Sequence, residues 1–341
     1  VEAFTLHADI DMANAKWADA IDNFHKAFAI NANFFPSSYY DCGNAELKLG
    51  RYADAKKDLQ HYLDVHGPSA TPATLATARQ GIDDCDFATN SLAHPVPFNP
   101  INMGEKINSD GCEYFPNVTA DDKTFLFTRN REEKDANGIM TRTQEDFYIS
   151  YRDADGNWSL AQNMGRPINT DNNEGAPSLS ADGRFLFFAA CDEYDGYGNG
   201  RQGFGSCDIF FTKKVNGQWS TPQNVGAPVN GPSWDSQPSF SSDGKTLYFV
   251  SHRANGFGNS DIWMATLGTD GKWSNPVNMG PGINTAGKEE AVFIHPDNQT
   301  LYFASDGLTG MGGLDLYVCH RDSITGKWGP AMNLGYPINT A

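Results

Sequence analysis

The stretch Asn163-Met164-Gly165-Arg166-Pro167-Ile168-Asn169 decides the fold, because it is one of five copies of one phrase. Asn-Met-Gly-x-x-Ile-Asn also stands at Asn102–Asn108, Asn224–Asn230, Asn278–Asn284 and Asn333–Asn339, with Val225, Val229 and Leu334 as the apolar variants. Five copies, 54 to 61 residues apart, mark a repeated structural unit. Between copies four events recur. An acidic residue follows the closing Asn by five positions (Glu113, Glu174, Asp235, Glu289) and begins a strand that ends in a Ser-x-Asp-Gly turn, as at Ser180–Gly183 and Ser241–Gly244. An apolar strand comes next (Thr124–Thr128, Phe185–Ala189, Thr246–Val250, Thr300–Ala304). After a loop, Gly-rich in most units, an Asp opens a third strand (Asp146, Asp208, Asp261, Asp315). A Gly-x-Trp turn (Trp158, Trp219, Trp273, Trp328) then leads into the fourth.

Four strands per unit predict one blade of a β-propeller, with near-continuous apolar inner strands and a more polar edge strand. The Gly before each Trp permits a tight hairpin, and the Trp is expected to cover the outer rim of its blade. Residues 96–104 carry only the last strand of a unit and residues 338–341 only the start of another. The chain is therefore expected to continue past Ala341, with at least five blades in the full ring and four complete units here.

Residues 1–90 read as helices. Trp17, Ala20, Phe24 and Ala27 recur 35 residues later as Tyr52, Ala55, Leu59 and Tyr62, a spacing that puts each set on one helical face. Gly50-Arg51-Tyr52 marks a helix–turn–helix junction, and Pro36 and Pro72 punctuate the units. A third helix is expected over about 72–88, and residues 91–100 form a Pro-rich linker. The fold class is thus α + β multidomain: a short helical solenoid over 1–90, then a propeller over 101–341.

The chain carries 25 basic and 42 acidic residues, a net charge of −17 that repels nucleic acid and anionic lipid. No apolar run approaches the ~20 residues of a membrane helix. Val1 leads straight into a helical pattern, so the numbering is expected to begin inside a longer precursor. Of six cysteines, Cys191 and Cys207 flank a Gly-rich loop between two neighbouring strands and are the first candidate disulfide; Cys42–Cys85 is the second. Cys112 and Cys319 are left unpaired.

The helical period and its aromatic–Ala–apolar order resemble the tetratricopeptide repeat. Glu113-Tyr114-Phe115-Pro116, Ser-x-Asp-Gly, Leu-Tyr-Phe and Gly312-Gly313-Leu314-Asp315-Leu316-Tyr317 resemble the WD40-like propeller repeat of TolB-type proteins. Helical repeats followed by this propeller are similar to PorE-like envelope proteins of Bacteroidetes, which end in an OmpA-like domain. That resemblance implies a periplasmic, outer-membrane-associated, non-enzymatic scaffold. Its partner would be an outer-membrane protein or lipoprotein of the type IX secretion system. Peptidoglycan would be bound only through the OmpA-like domain, which this sequence lacks.

Propeller topology places Glu113, Glu174, Asp235 and Glu289 on one face with Asp146, Asp208, Asp261 and Asp315. Two readings stay open for these eight: an acidic ring for a cation or basic partner, or struts that bond loop amides and tie blades together. The insertion 192–206 offers Tyr194, Tyr197 and Phe204 as partner contacts; with Asp192 and Asp195 alone it falls short of a calcium loop. No cofactor, metal or catalytic residue is assigned: no Gly-x-Ser-x-Gly elbow occurs, Arg129, Arg184 and Arg253 do not share a face, and His25, His61 and His66 read as solvated or packing residues. The alternative to the scaffold is a propeller that binds glycan or peptidoglycan fragments; a sialidase- or peptidase-type hydrolase ranks behind both.

Overall fold

The computed structural model describes residues 1–341 apart from 34, 135, 136, 194 and 195, with side chains at all described positions except 133 and 134. Two compact units emerge: residues 1–99 with 308–316 and 333–341, and residues 100–307 with 317–332.

Among the described residues the first unit holds five α-helices: α1 (Glu2–Ala13), α2 (Trp17–Ile30), α3 (Ser38–Lys48), α4 (Tyr52–His66) and α5 (Pro72–Ala93). Gly50 ends α3 at φ +66°, a conformation that favours glycine. Thr71 caps α5 by accepting the Thr74 amide, and Pro72 takes the first helical position, where no N–H is needed. The repeated apolar sets face inward: Ala20, Phe24, Ala27, Tyr52, Ala55, Leu59 and Tyr62 are all buried. Leu59 fits between Gly43 of α3 and Gly81 of α5, where an added Cβ would lie 2.7 Å from its side chain in each case. The expected Cys42–Cys85 bridge does not form. Both thiols are free and buried in separate apolar clusters, Cys42 with Ala20 and Phe24, Cys85 with Tyr52 and Ala88. Among the described residues no helix is long and apolar enough to cross a membrane.

The strands make a four-bladed β-propeller. Blade 1 is β1 (Cys112–Val118), β2 (Thr124–Lys134), β3 (Met140–Tyr151) and β4 (Gln162–Asn163); blade 2 is β5 (Glu174–Leu179), β6 (Phe185–Cys191) and β7 (Cys207–Val215), with β8 (Gln218–Trp219) and β9 (Gln223–Asn224) both pairing with β7. Blade 3 is β10 (Asp235–Phe240), β11 (Thr246–Ser251), β12 (Asp261–Thr266) and β13 (Val277–Asn278); blade 4 is β14 (Glu289–Ile294), β15 (Thr300–Ser305), β16 (Asp315–His320) and β17 (Met332–Asn333). Two local expectations fail. Residues 96–104 form no strand, and the loop expected between the second and third strands of blade 1 is shortened, since β2 runs to Lys134 and β3 starts at Met140.

The repeated phrase works as a lock. The Asn163 Oδ1 accepts from the Gly165 amide at 2.8 Å and from the Asn169 Nδ2 at 2.8 Å. Asn169 in turn accepts from the Phe147 N–H and donates to the Phe147 carbonyl, each at 3.0 Å. Its side-chain amide thus stands in for a peptide group beside the third strand. Asn230 does the same for Ile209, Asn284 for Ile262 and Asn339 for Leu316. Ile107, Ile168, Val229 and Ile283 anchor the phrase by burial.

Each first strand bulges, with one non-glycine residue at positive φ: Phe115 (50°), Ala176 (52°), Gln237 (49°) and Ala291 (53°). In blades 1 to 3, a side chain just beyond the bulge bonds the next blade. The Asn117 Nδ2 donates to the Pro177 carbonyl at 2.7 Å, the Phe240 amide donates to the Ser178 hydroxyl at 3.0 Å, and the Ile294 amide to that of Ser239 at 2.9 Å. Trp158 covers its own blade, 5.5 Å from Phe125, whereas two other Gly-x-Trp rings also reach the preceding blade: Trp273 lies 6.4 Å from Phe187 of blade 2 and Trp328 6.2 Å from Tyr248 of blade 3.

Candidate binding cleft

The two repeated sets of acids lie inside the blades. Glu174, Asp235 and Glu289 are fully buried and Glu113 mostly so. Each accepts the backbone N–H four residues before it, from Ser109, Thr170, Gly231 or Thr285. An arginine pairs with three of them: Arg129 with Glu113 at 2.8 Å, Arg201 with Glu174 at 2.8 Å, Arg253 with Asp235 at 2.6 Å. In blade 4 the Ser305 hydroxyl takes that place, donating to Glu289 at 2.7 Å. Burial pushes Glu174 up to about 7 and Glu289 upward, against the hydrogen bonds that favour the charged form.

The second set bonds its own loops. Asp208 accepts from the Phe204 amide and Asn224, Asp261 from the Phe257 amide and Asn278, Asp315 from the Met311 amide and Asn333, and Asp146 from Arg131 and Asn163. Burial raises Asp208 and Asp315 above the usual carboxylate range. Of the two readings left open by the sequence, the geometry matches the strut.

The 192–206 insertion divides likewise. Cys191 and Cys207 are disulfide-bonded at its base. Tyr197, expected to meet a partner, is 5% exposed; its hydroxyl donates to the Gly205 carbonyl and its ring packs on Phe210. Phe204 is 55% exposed, and Tyr194 lies outside the described residues.

A cleft opens at the other end of the blades, between blades 2 and 3, where the Ser-x-Asp-Gly and Gly-x-Trp turns meet. Its volume is about 650 Å³, and Phe185, Phe187, Phe211, Phe240 and Trp273 line it. The Phe187 and Phe240 ring centroids are 4.5 Å apart, and Trp273 stands edge-on, 6.3 Å from Phe240. Phe187 is buried while the other four rings are half-buried, so they keep accessible surface within the cleft. Asp182, Arg184, Ser242 and Asp243 line it with polar groups. The Ser180 hydroxyl holds the Asp182 carboxyl below its ordinary 3.8, and Arg184 pairs with it at 2.7 Å. Flat apolar walls with a few convergent polar groups suit a ligand that has both apolar faces and hydroxyls. The sequence did not single out these five rings. The repeat register marked Trp273 as an outer-rim residue, and the remaining four read as ordinary strand aromatics.

No family model matches this chain, and no curated protein matches it. Solved structures are similar in shape. One is the Bacteroides ovatus xyloglucan PUL protein GH43B, with a TM-score of 0.40 and 19% identity, covering 68% of this chain and 42% of that one. Another is an α-L-arabinofuranosidase from Lactobacillus brevis (TM-score 0.39, 13% identity, 66% and 77%). A third is a puromycin-hydrolysing peptidase from Mycobacterium tuberculosis (0.35, 15%, 70% and 41%), so the match spans less than half of the first and third of these chains.

These matches correct the sequence-based expectation of a non-enzymatic type IX secretion scaffold. None of the three is such a scaffold and all carry hydrolase names, so neither that role nor the exclusion of catalysis stands. Likeness at this level assigns no activity to this chain.

Proposed function

We propose that the propeller binds a short, uncharged glycan in the cleft formed by Phe187, Phe240 and Trp273. The observation that carries this reading is the convergence of aromatic faces on a cleft also lined by two carboxylates and a guanidinium. The C–H faces of a sugar ring stack on such walls, and its hydroxyls find acceptors in Asp182 and Asp243 and a donor in Arg184. The net charge of −17 disfavours polyanionic glycans at long range. At about 1.5 kcal/mol each, the upper end for aromatic contacts, three rings supply about 4.5 kcal/mol, a dissociation constant just under ~1 mM.

The test is a titration of the full chain with uncharged N-acetylated chitooligosaccharides, with anionic muropeptides as the contrast expected to bind more weakly, followed by tryptophan fluorescence and calorimetry. Saturable binding is expected, lost in Trp273→Ala and kept in Phe204→Ala. No saturable signal up to ~10 mM, about tenfold above that constant, rejects the reading. Reducing ends are assayed in the same mixtures. Their release, if lost in Trp273→Ala, makes the cleft a hydrolase site instead.

We also propose that the protein works in an oxidising compartment such as the periplasm. The Cys191–Cys207 bridge supports this, since reducing compartments do not maintain such bonds. Thiol alkylation of the protein in intact cells checks it; labelling of both cysteines would remove the support.

A further inference from the structure

In the helical unit, three consecutive helices bring four metal-ligating side chains to one point. His25 comes from α2, Cys42 and Glu46 from successive turns of α3, and Asp58 from α4. One ligand atom from each lies within 4.8 Å of all the others. Cys42 and Glu46 are fully buried and Asp58 is 8% exposed. Both carboxylate oxygens of Glu46 and the Oδ2 of Asp58 are buried without a hydrogen-bond partner. The His25 Nε2 stands 3.4 Å from the Glu46 Oε1. Arg51 and Lys57 act on Glu46 only at a distance, and neither forms an ion pair with it among the described residues.

Two buried carboxylates and a buried thiol, with no internal cation, are costly to fold around. Their preferred company is either protons or a cation. The mixture of imidazole, thiol and carboxylate discriminates between cations: calcium and magnesium take oxygen ligands, whereas zinc-class ions take nitrogen and sulfur. Four ligands complete a tetrahedral shell. With metal–ligand bonds of about 2.0–2.3 Å, ligand atoms in such a shell sit roughly 3.3–3.8 Å apart, within about an ångström of the present separations. His25 is half exposed and free to close that gap. A cavity of about 590 Å³ lined by His25, Tyr39, Asp58 and His61 gives a path of entry.

We propose that His25, Cys42, Glu46 and Asp58 form a site for one zinc-class divalent ion that ties α2, α3 and α4 together. All four positions are filled by the protein, which is the arrangement of structural rather than catalytic zinc sites.

The experiment titrates the chelator-treated full chain with zinc chloride by calorimetry and, separately, with cobalt chloride by absorption. One equivalent is expected, at roughly micromolar affinity or tighter. The cobalt form is expected to show a thiolate charge-transfer band with tetrahedral d–d bands. Cys42→Ser removes the charge-transfer band. His25→Gln, at a half-exposed position and so with unchanged helical content, weakens binding more than the ~10–100-fold that outer-shell changes cost. Several weak equivalents that ignore His25→Gln, or a cobalt spectrum without the thiolate band, would show scattered carboxylate binding and overturn the site. If Cys42→Ser does not fold, His25→Gln alone decides between these outcomes.

Discussion

Three arginines reach one kind of niche from three different places in the repeat. Arg129 lies on β2, Arg201 in the 192–206 loop and Arg253 just after β11. Each pairs with the acid of its blade, donates to a main-chain carbonyl (Ile107, Ile168 or Val229) and lies over two aromatic rings. Blade 4 has no room for this side chain: a Cβ on Gly307 would lie 1.9 Å from the Thr285 Oγ1, and Ser305 bonds Glu289 instead. The Arg201–Glu174 pair is the most enclosed of the three, with side chains 4% and 0% exposed. Arg201→Met is expected to lower unfolding free energy by about 3–5 kcal/mol, because it leaves a buried carboxylate alone. Arg201→Met with Glu174→Gln recovers much of that loss in urea unfolding. The single variant suffers less at pH 5 than at pH 8, since a proton then neutralises Glu174. The niche was not legible in the sequence because a shared role filled from three offsets leaves no mark in a register that aligns positions.

At the scale of the element, the Ser-x-Asp-Gly turn is a closed set of hydrogen bonds. The Ser180 hydroxyl donates to Asp182 and accepts from the Arg184 and Phe185 amides, and Thr119 serves Asp121 in the same way. Those hydroxyls hold the Asp121 and Asp182 carboxyls below their ordinary value of 3.8. A carboxyl depressed in the folded state stabilises above its unfolded value and loses that contribution as pH falls through the folded one. The melting temperature of the propeller is therefore expected to fall below about pH 4, and Asp182→Asn to flatten part of that fall in a melting series between pH 5 and 2. These turns and the strands around them could be read from spacing alone. The first-strand bulges could not, because Phe115, Ala176, Gln237 and Ala291 take a left-handed conformation without the glycine that usually announces it. The cleft was hidden for a different reason: its rings come from five positions on two blades, and only the contacts of Phe240 and Trp273 with Phe187 of the neighbouring blade make them one wall.

At the scale of the whole propeller, hydrogen bonds near the axis pass from blade to blade through Asn117, Ser178 and Ser239. Ser239→Ala leaves the buried Ile294 amide without its acceptor, which costs about 1–3 kcal/mol. Because the blades are bonded in series, hydrogen exchange is expected to speed up in blades 3 and 4 together rather than in blade 4 alone. The Asn phrase has a consequence for the ageing of the molecule. Asn230 is followed by Gly231, a pair whose backbone nitrogen readily attacks the side-chain carbonyl carbon to release ammonia. Folding occupies both reactants, since the Gly231 N–H donates to Asp235 at 2.8 Å and the Asn230 amide donates to the Ile209 carbonyl at 2.8 Å. Conversion of Asn230 to aspartate or isoaspartate would therefore accrue only while blade 2 is open, and the mass increment at that residue becomes a covalent clock of time spent unfolded.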